Sequence, residues 1–186
     1  MKKKLLFITG TRADYGKIKS LIKITEKTKK FDCGIFITGM HTLTKYGYTA
    51  DEILNSFKQY RLKNGLRRIH IFNNQQNLDG MDIALSKTIV GLSEYVKQFK
   101  PDLIIVHGDR IEAMSASIVG ILNNIMVAHI EGGELSGTVD EMLRHSISKL
   151  SNIHFVANLK AKKRLIQMGE NKKTIFNIGS PDIDLM

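Results

Sequence analysis

Acidic and basic side chains gather at points where short apolar segments of this sequence end. Arg12 and Asp14 follow one such segment, Asp109 and Arg110 follow another, and Glu131 follows a third. Two arginines can bind a diphosphate through charge-assisted, often bidentate hydrogen bonds. Carboxyl groups that lie close together shift one another's pKa, so that one acts as an acid while its neighbour acts as a base. Departure of a diphosphate coupled to acid–base work on a sugar needs this combination of residues.

Several other kinds of site lack their sequence signatures. The segment 10–16 does not match the GxGxxG pattern of dinucleotide sites, and the sequence contains no GxxxxGK[ST] phosphate loop. His107 and Asp109 have a spacing that would allow both to face a metal, but no HExxH motif or cysteine cluster accompanies them. We therefore expect no bound metal and no nicotinamide or other cofactor.

The elements that position these side chains follow from hydrophobic patterning. Short apolar runs predict strands at 4–9, 34–38, 68–72, 103–107, 126–130, 153–157 and 174–178. Helical periodicity lies between them, at 15–29, 51–60, 81–99, 112–123, 140–150 and 159–168. Strands and helices that alternate in this way predict an α/β fold, a single Rossmann-like domain over 1–186 with a doubly wound parallel sheet.

The sheet itself predicts where a ligand binds. In an open parallel sheet, ligands lie beyond the carboxyl ends of the strands, at the point where the strand order reverses. In the order 3-2-1-4-5-6, that point falls between strands one and four. Arg12 and Arg110 would then share one crevice, with Asp109 and Glu131 beside them. Single Gly-Asp and Gly-Gly pairs are also ordinary turn residues, but polar residues after four strands favour a site.

Charge and composition bear on possible partners. The formal net charge is +10, and ten of the 28 basic residues lie in the first thirty positions, six of them on one predicted helix beside an apolar stripe. Such lysines are typical of a solvated helix face, so we expect no nucleic-acid partner. One cysteine excludes an intramolecular disulfide, and no apolar run approaches the ~20 residues of a membrane helix. We expect a cytoplasmic protein with no membrane partner.

Longer motifs reveal a family resemblance. The segments FITGTRADYGK (7–17), TGMH (38–41), HGDR (107–110), HIEGGELSGTVDEMLRHSISKLS (129–151) and IGSPDID (178–184) resemble the hydrolysing UDP-N-acetylglucosamine 2-epimerases of sialic acid biosynthesis. The similarity runs the whole length of the chain. It implies a glycosyltransferase-B-like enzyme with two Rossmann-like domains and an active site between them. This chain would be the N-terminal domain, and the missing C-terminal domain would supply most of the nucleotide pocket.

The resemblance also implies a reaction and its residues. UDP-N-acetylglucosamine and water would give N-acetylmannosamine and UDP through a glycal intermediate. Asp109, Glu131 and Asp140 match the family's acid–base carboxylates, and Arg12 and Arg110 match positions that approach the diphosphate. The same motifs contain the other residues expected to bind substrate, which are Asp14, His41, Glu134, Ser136, Glu141, Arg144 and His145.

Three alternatives stay open at the level of sequence. The substrate is either UDP-N-acetylglucosamine or a related nucleotide sugar such as GDP-linked diacetylbacillosamine, because the residues that recognise the base would lie in the other half. A non-catalytic binding module is the third possibility. Which carboxylate removes the C2 proton and which returns it is not decided. We expect the 186 residues alone to fold, to have little activity, and to associate as a homo-oligomer through apolar surface that the other half would cover.

Overall fold

Seven parallel strands form one sheet at the centre of the structure. They are β1 (Lys3–Thr9), β2 (Phe31–Ile37), β3 (Ile69–Ile71), β4 (Leu103–His107), β5 (Met126–Ile130), β6 (Ile153–Val156) and β7 (Ile175–Asn177). The helices are α1 (Arg12–Lys27), α2 (Ala50–Ser56), α3 (Met81–Phe99), α4 (Ile111–Leu122), α5 (Val139–Lys149) and α6 (Leu159–Gln167). This computed structural model describes residues 2–57, 68–75 and 79–181.

The strand order is β3-β2-β1-β4-β5-β6-β7, and every neighbouring pair is parallel. The order reverses between β1 and β4, which confirms the predicted doubly wound, Rossmann-like α/β fold. All seven predicted strands are present, although β3, β6 and β7 are shorter than predicted. Positions 58–60, where the sequence predicted the end of a helix, lie outside the described residues.

Two element boundaries differ from the prediction for identifiable reasons. Helix α1 begins at Arg12 instead of residue 15, because the Thr11 side chain caps it by accepting a hydrogen bond from the Asp14 amide. Strand β2 begins at Phe31 instead of residue 34, because it pairs with the full length of β1. Gly34 lies inside this strand, and the Phe99 ring occupies the space that a side chain would need.

Alternating strand residues divide the core into two layers. Phe7 and Ile35 face one layer, where α1 and α2 pack against the sheet. Leu6 and Ile104 face the other layer, which is covered by α3, α4 and α5. Because apolar side chains are buried on both faces, the strands read as continuous apolar runs in the sequence. Among the described residues, no helix is long and apolar enough to span a bilayer.

The carboxyl ends of β1, β2, β4 and β5 lie next to one another along one edge of the sheet. The Thr38 amide donates a hydrogen bond to the Thr9 carbonyl at 3.0 Å, and the Gly108 amide donates to the Ile130 carbonyl at 3.0 Å. These contacts continue the strand pairing into the turns that follow. Three of the predicted site residues, Asp109, Arg110 and Glu131, directly follow β4 or β5 at this edge.

Candidate active site

A buried histidine connects two carboxylates at this edge of the sheet. His107 is the last residue of β4, and its Nδ1 lies 3.3 Å from Oδ1 of Asp14 in the first turn of α1. Its Nε2 lies 3.0 Å from Oε2 of Glu131, which directly follows β5. When the imidazole is protonated, both ring nitrogens donate and the two carboxylate oxygens accept. Burial lowers the pKa of His107, but the two carboxylates outweigh burial and raise it to about 9.

Glu131 has an unusual backbone and a heavily bonded side chain. Its φ of +61° lies in the left-handed region, which residues other than glycine seldom adopt. The carboxylate accepts hydrogen bonds from Lys17 Nζ at 2.8 and 3.1 Å, from His107, and from Ser180 Oγ at 2.6 Å. Burial alone would raise its pKa, but these three donors lower the pKa of Glu131 to about 2. Backbone strain of this kind clusters at functional sites.

Asp109 is held by a different set of partners. Its Oδ2 forms an ion pair with Nη2 of Arg144 on α5, and Nη1 of Arg144 donates to the Glu134 carbonyl at 3.2 Å. The turn that carries Asp109 contains Gly108, whose φ is +71°. Nε2 of the fully buried His129 donates to the Gly108 carbonyl at 2.7 Å. Asp109 is therefore fixed between β4 and α5.

The two predicted diphosphate arginines have separate partners in this structure. Arg110 Nη2 lies 3.8 Å from Sδ of Met40, so this side chain reaches from the end of β4 to the loop after β2. Nε of the exposed Arg12 lies 3.4 Å from Oε2 of Glu52 on α2. Both belong to turns at the predicted edge, and their joint action on one diphosphate stays a prediction.

A further acidic residue, Glu112, was not among those singled out by sequence reasoning. It lies in the first turn of α4 with 3% of its surface exposed. Its carboxyl group fills the space beside two glycines: a Cβ added at Gly10 would be 2.7 Å from its Cδ, and one at Gly39 2.4 Å from its Oε1. Oε2 has no hydrogen-bond partner among the described residues, and Nε of Arg110 is 3.9 Å away. Burial raises the pKa of Glu112.

The loop before α5 and its first turn hold a second group of predicted residues. Glu141 Oε2 accepts from the amides of Ser136 at 2.9 Å and Gly137 at 2.8 Å, and these bonds lower its pKa. Oε1 of Glu141 lies 4.0 Å from Nε2 of His145. Asp140 is exposed and accepts from Thr138 Oγ1 at 3.3 Å. Within the described part of the chain, no hydrogen bond joins this group to His107.

His41 and Glu134 complete the predicted set. His41 is fully buried, and its ring nitrogens lie 2.9 Å from Thr9 Oγ1 and 2.6 Å from Thr49 Oγ1. Burial lowers the pKa of His41 to about 4, so the ring is neutral and braces the ends of β1 and α2 from inside. Glu134 is half-buried, and its Oε1 accepts from Asn158 Nδ2 at 3.2 Å. In this arrangement neither His41 nitrogen is free for a ligand.

Comparison with known proteins shows the family of this chain. The family model described as UDP-N-acetylglucosamine 2-epimerase matches residues 23–186. The chain belongs to this epimerase family. It is 46% identical to the UDP-N-acetylglucosamine 2-epimerase of Neisseria meningitidis serogroup B, over 99% of this chain and 47% of that protein. It is 42% identical to the UDP-N,N'-diacetylbacillosamine 2-epimerase (hydrolyzing) of Legionella pneumophila, over 99% of this chain and 48% of that protein.

Solved structures support the fold of this epimerase-family chain. The UDP-GlcNAc 2-epimerase from Neisseria meningitidis bound to UDP-GlcNAc superposes with a TM-score of 0.82, at 23% identity, over 97% of this chain and 47% of that one. The chain thus spans about half the length of the relatives it matches.

In this epimerase-family chain, sequence reasoning missed all three residues that donate hydrogen bonds to Glu131, which are Lys17, His107 and Ser180. The spacing of His107 suggests only a metal ligand beside Asp109, yet its side chain contacts two carboxylates while Asp109 contacts α5. Lys17 belongs to the lysines predicted to lie on a solvated helix face, although its Nζ reaches Glu131. Ser180 carried no signal beyond the IGSPDID motif. In the described ranges, no three His, Cys, Asp or Glu side chains are arranged to hold a metal ion.

Proposed function

We propose that this chain forms the N-terminal domain of a hydrolysing UDP-N-acetylglucosamine 2-epimerase. The observation that carries the proposal is the buried Asp14–His107–Glu131 cluster at the switch point of the sheet, in a chain of the epimerase family. A structural neighbour is bound to UDP-GlcNAc, and the relatives are about twice as long as this chain. We therefore propose a second domain that closes the cleft and binds the nucleotide, in a cytoplasmic enzyme.

The proposed chemistry begins with cleavage of the bond between C1 and the diphosphate oxygen. UDP leaves with the bonding electrons, and C1 becomes oxocarbenium-like. That charge acidifies the C2 proton, which has no neighbouring carbonyl and is not acidic in the ground state. A carboxylate then removes the C2 proton and leaves 2-acetamidoglucal. A proton returned to C2 from the opposite face, with water adding its hydroxyl to C1, gives N-acetylmannosamine.

The electrostatics of Glu131 suit removal of the C2 proton. Three hydrogen-bond donors keep this carboxylate ionised at neutral pH, so it is ready to accept a proton. Its low pKa also makes it a weak base, and a weak base suffices only after C1 has become electron-poor. Proton removal is thereby tied to departure of the diphosphate. Asp109 and Asp140 are the carboxyl groups proposed to serve the opposite face.

The arginines are proposed to stabilise the departing diphosphate. Arg110 is 39% exposed at its side chain and lies between the ends of β2 and β4, so a ligand in the crevice can reach its guanidinium. Arg12, in the first turn of α1, adds a second positive charge at the same edge, together with the positive end of the helix dipole. Such preorganised charge stabilises a leaving group without reorganisation during the reaction.

Incubation of the full-length protein with UDP-N-acetylglucosamine in D₂O tests this proposal. The expected products are UDP and N-acetylmannosamine that carries deuterium at C2. Proton NMR follows their formation, and Glu131→Gln is the inactive control. Release of UDP-N-acetylmannosamine would show a non-hydrolysing epimerase and contradict the proposal. Absence of any turnover or binding of a nucleotide sugar would favour a non-catalytic module.

A related nucleotide sugar is the second candidate substrate. The 42% identity to a diacetylbacillosamine epimerase over the same residues favours it specifically. Competition between UDP-N-acetylglucosamine and UDP- or GDP-linked diacetylbacillosamine in one assay gives the ratio of kcat/KM values, which ranks the substrates. Sedimentation of residues 1–186 alone tests whether this chain forms the proposed homo-oligomer.

A further inference from the structure

The segment after β7 returns across the carboxyl edge of the sheet. β7 is an edge strand, two positions from β5, which corresponds to about 10 Å in the sheet. The Ile178 amide donates to the Val156 carbonyl at 3.0 Å, so the segment first crosses the end of β6. Gly179, with φ of +78°, then turns the chain toward the interior. Ser180 thereby reaches the end of β5, where its Oγ lies 2.6 Å from Oε1 of Glu131.

This hydrogen bond differs in origin from the others at the same carboxylate. His107 and Lys17 belong to β4 and α1, which lie beside Glu131 in the interior of the domain. Ser180 belongs to the segment that follows the last strand. Because an ionised carboxylate can only accept, the Ser180 hydroxyl must donate. The 2.6 Å separation is typical of a charge-assisted O–H···O⁻ bond, which is about twice as strong as a neutral one.

We propose that Ser180 is a positioning residue that holds the Glu131 carboxylate for proton transfer and couples the segment 178–181 to that step. The role in proton transfer rests on the proposed function. With one oxygen fixed by Ser180 and the other by His107, the plane of the carboxylate is set from two sides. Loss of the hydroxyl leaves Glu131 charged and still bound by His107 and Lys17, but its Oε1 loses the shortest of these contacts. The carboxylate then varies more in orientation, which reduces the fraction of encounters with productive geometry.

The kinetic test uses the full-length protein with Ser180→Ala, Ser180→Thr and an unrelated control, Ser86→Ala. Ser86 is an exposed serine on α3 whose hydroxyl bonds to the Ile83 carbonyl. We expect Ser180→Ala to lower kcat roughly 10-fold with KM changed less than about 2-fold. The deuterium isotope effect on kcat with C2-deuterated substrate should increase, because proton transfer becomes slower. Ser180→Thr keeps the hydroxyl, so its kcat and isotope effect should stay close to those of the wild type. Ser86→Ala should match the wild type.

A double-mutant cycle tests the contact without any turnover. Thermal unfolding is measured for the wild type, Ser180→Ala, Glu131→Gln and the double variant. We expect Ser180→Ala to lower Tm by about 2 °C or more in the wild type, and by much less in the Glu131→Gln background. Additive changes in Tm would overturn the proposal. So would an unchanged kcat and isotope effect in Ser180→Ala. If the wild type turns over no nucleotide sugar, the proposed function fails, and the cycle still decides whether Ser180 holds Glu131.

Discussion

His107 Nε2 lies 3.0 Å from Glu131 Oε2, and this contact joins the last residue of β4 to the first residue after β5. Both residues are less than a tenth exposed. Removing one member of a buried group of opposite charges strongly destabilises the fold, because the charges that remain are no longer balanced. The ends of three elements, β4, β5 and α1, are therefore held together by groups whose charges depend on pH.

The first prediction concerns the pH dependence of stability. The pKa of His107 is raised from 6.5 to about 9 in the fold. Its contribution to stability is therefore fully present below pH 6.5 and is lost as pH rises through about 9. We expect the difference in Tm between the wild type and His107→Asn to be largest near pH 6 and to shrink toward pH 10. Thermal unfolding followed by circular dichroism measures this difference.

A matched control separates this effect from general alkaline destabilisation. His70 stacks on Tyr95 at a ring distance of 4.5 Å, and burial lowers its pKa. Because the pKa of His70 is lowered in the fold, its contribution to stability is lost only as pH falls below 6.5. The Tm difference between the wild type and His70→Asn should therefore stay constant from pH 7 to 10. An equally constant difference for His107→Asn would show that its imidazole is neutral in the fold.

The second prediction concerns the carboxylates of the full-length enzyme. Asp109→Asn and Glu131→Gln keep size and much of the hydrogen bonding but remove the ionisable group. Each should lower kcat roughly 10²–10⁴-fold with a much smaller change in UDP affinity. Asp102→Asn is the control, because Asp102 is exposed at the opposite end of β4 and pairs with Lys3. Near-normal kcat in both active-site variants would place the chemistry elsewhere.

The parallel sheet and the acids at one of its edges could be predicted from the sequence, because both depend on local patterns. Continuously apolar strands separated by helical periodicity determine a parallel sheet, and the residues after each strand must then share its carboxyl edge. The specific partners could not be predicted. His107 and Lys17 are separated from Glu131 by 24 and 114 positions, and no local pattern encodes which donor reaches which oxygen.

The burial of Glu112 also could not be predicted from the sequence. Its sequence neighbours predict a helix start, where an acidic residue is ordinary and usually solvated. Burial of its carboxyl depends on glycines at positions 10 and 39, which belong to two other turns. In the sequence, the two glycines are ordinary turn residues. Only the structure shows that the Glu112 carboxyl occupies the space where side chains at these positions would lie.

The third prediction concerns the predicted diphosphate arginines. Arg110→Ala should weaken UDP binding and slow C1–O cleavage, because it removes a positive charge beyond the carboxyl ends of the strands. We expect a loss of roughly 10-fold or more in UDP affinity, measured by calorimetry on the full-length protein. Arg12→Ala should act in the same direction if both guanidinium groups reach one diphosphate. Lys3→Ala, at the amino end of β1, is the control, and an equal loss in that variant would indicate a non-specific charge effect.

The fourth prediction concerns the buried carboxyl of Glu112. Because burial raises the pKa of Glu112 above 4.5, the contribution of this carboxyl to stability is fully present below pH 4.5 and is lost as pH rises through the folded-state pKa. Glu112→Gln has nearly the same shape, fits the same space beside Gly39, and does not ionise. The Tm of this variant relative to the wild type should therefore rise between pH 4.5 and pH 8, by about 2–4 °C for each kcal/mol of relieved charge burial.

Glu94→Gln provides the control, since Glu94 lies exposed on α3 and its removal should shift Tm little at either pH. Gly39→Ala tests the packing part of the same argument. A Cβ there would meet Glu112 Oε1 at 2.4 Å and the Gly10 carbonyl at 2.8 Å, in a backbone with φ of +61°, so it should lower Tm at both pH values. If Glu112→Gln instead loses Tm as pH rises from 4.5 to 8, the carboxyl is ionised in the fold. Its attraction to the Arg110 guanidinium, 3.9 Å away, would then exceed the penalty of burial.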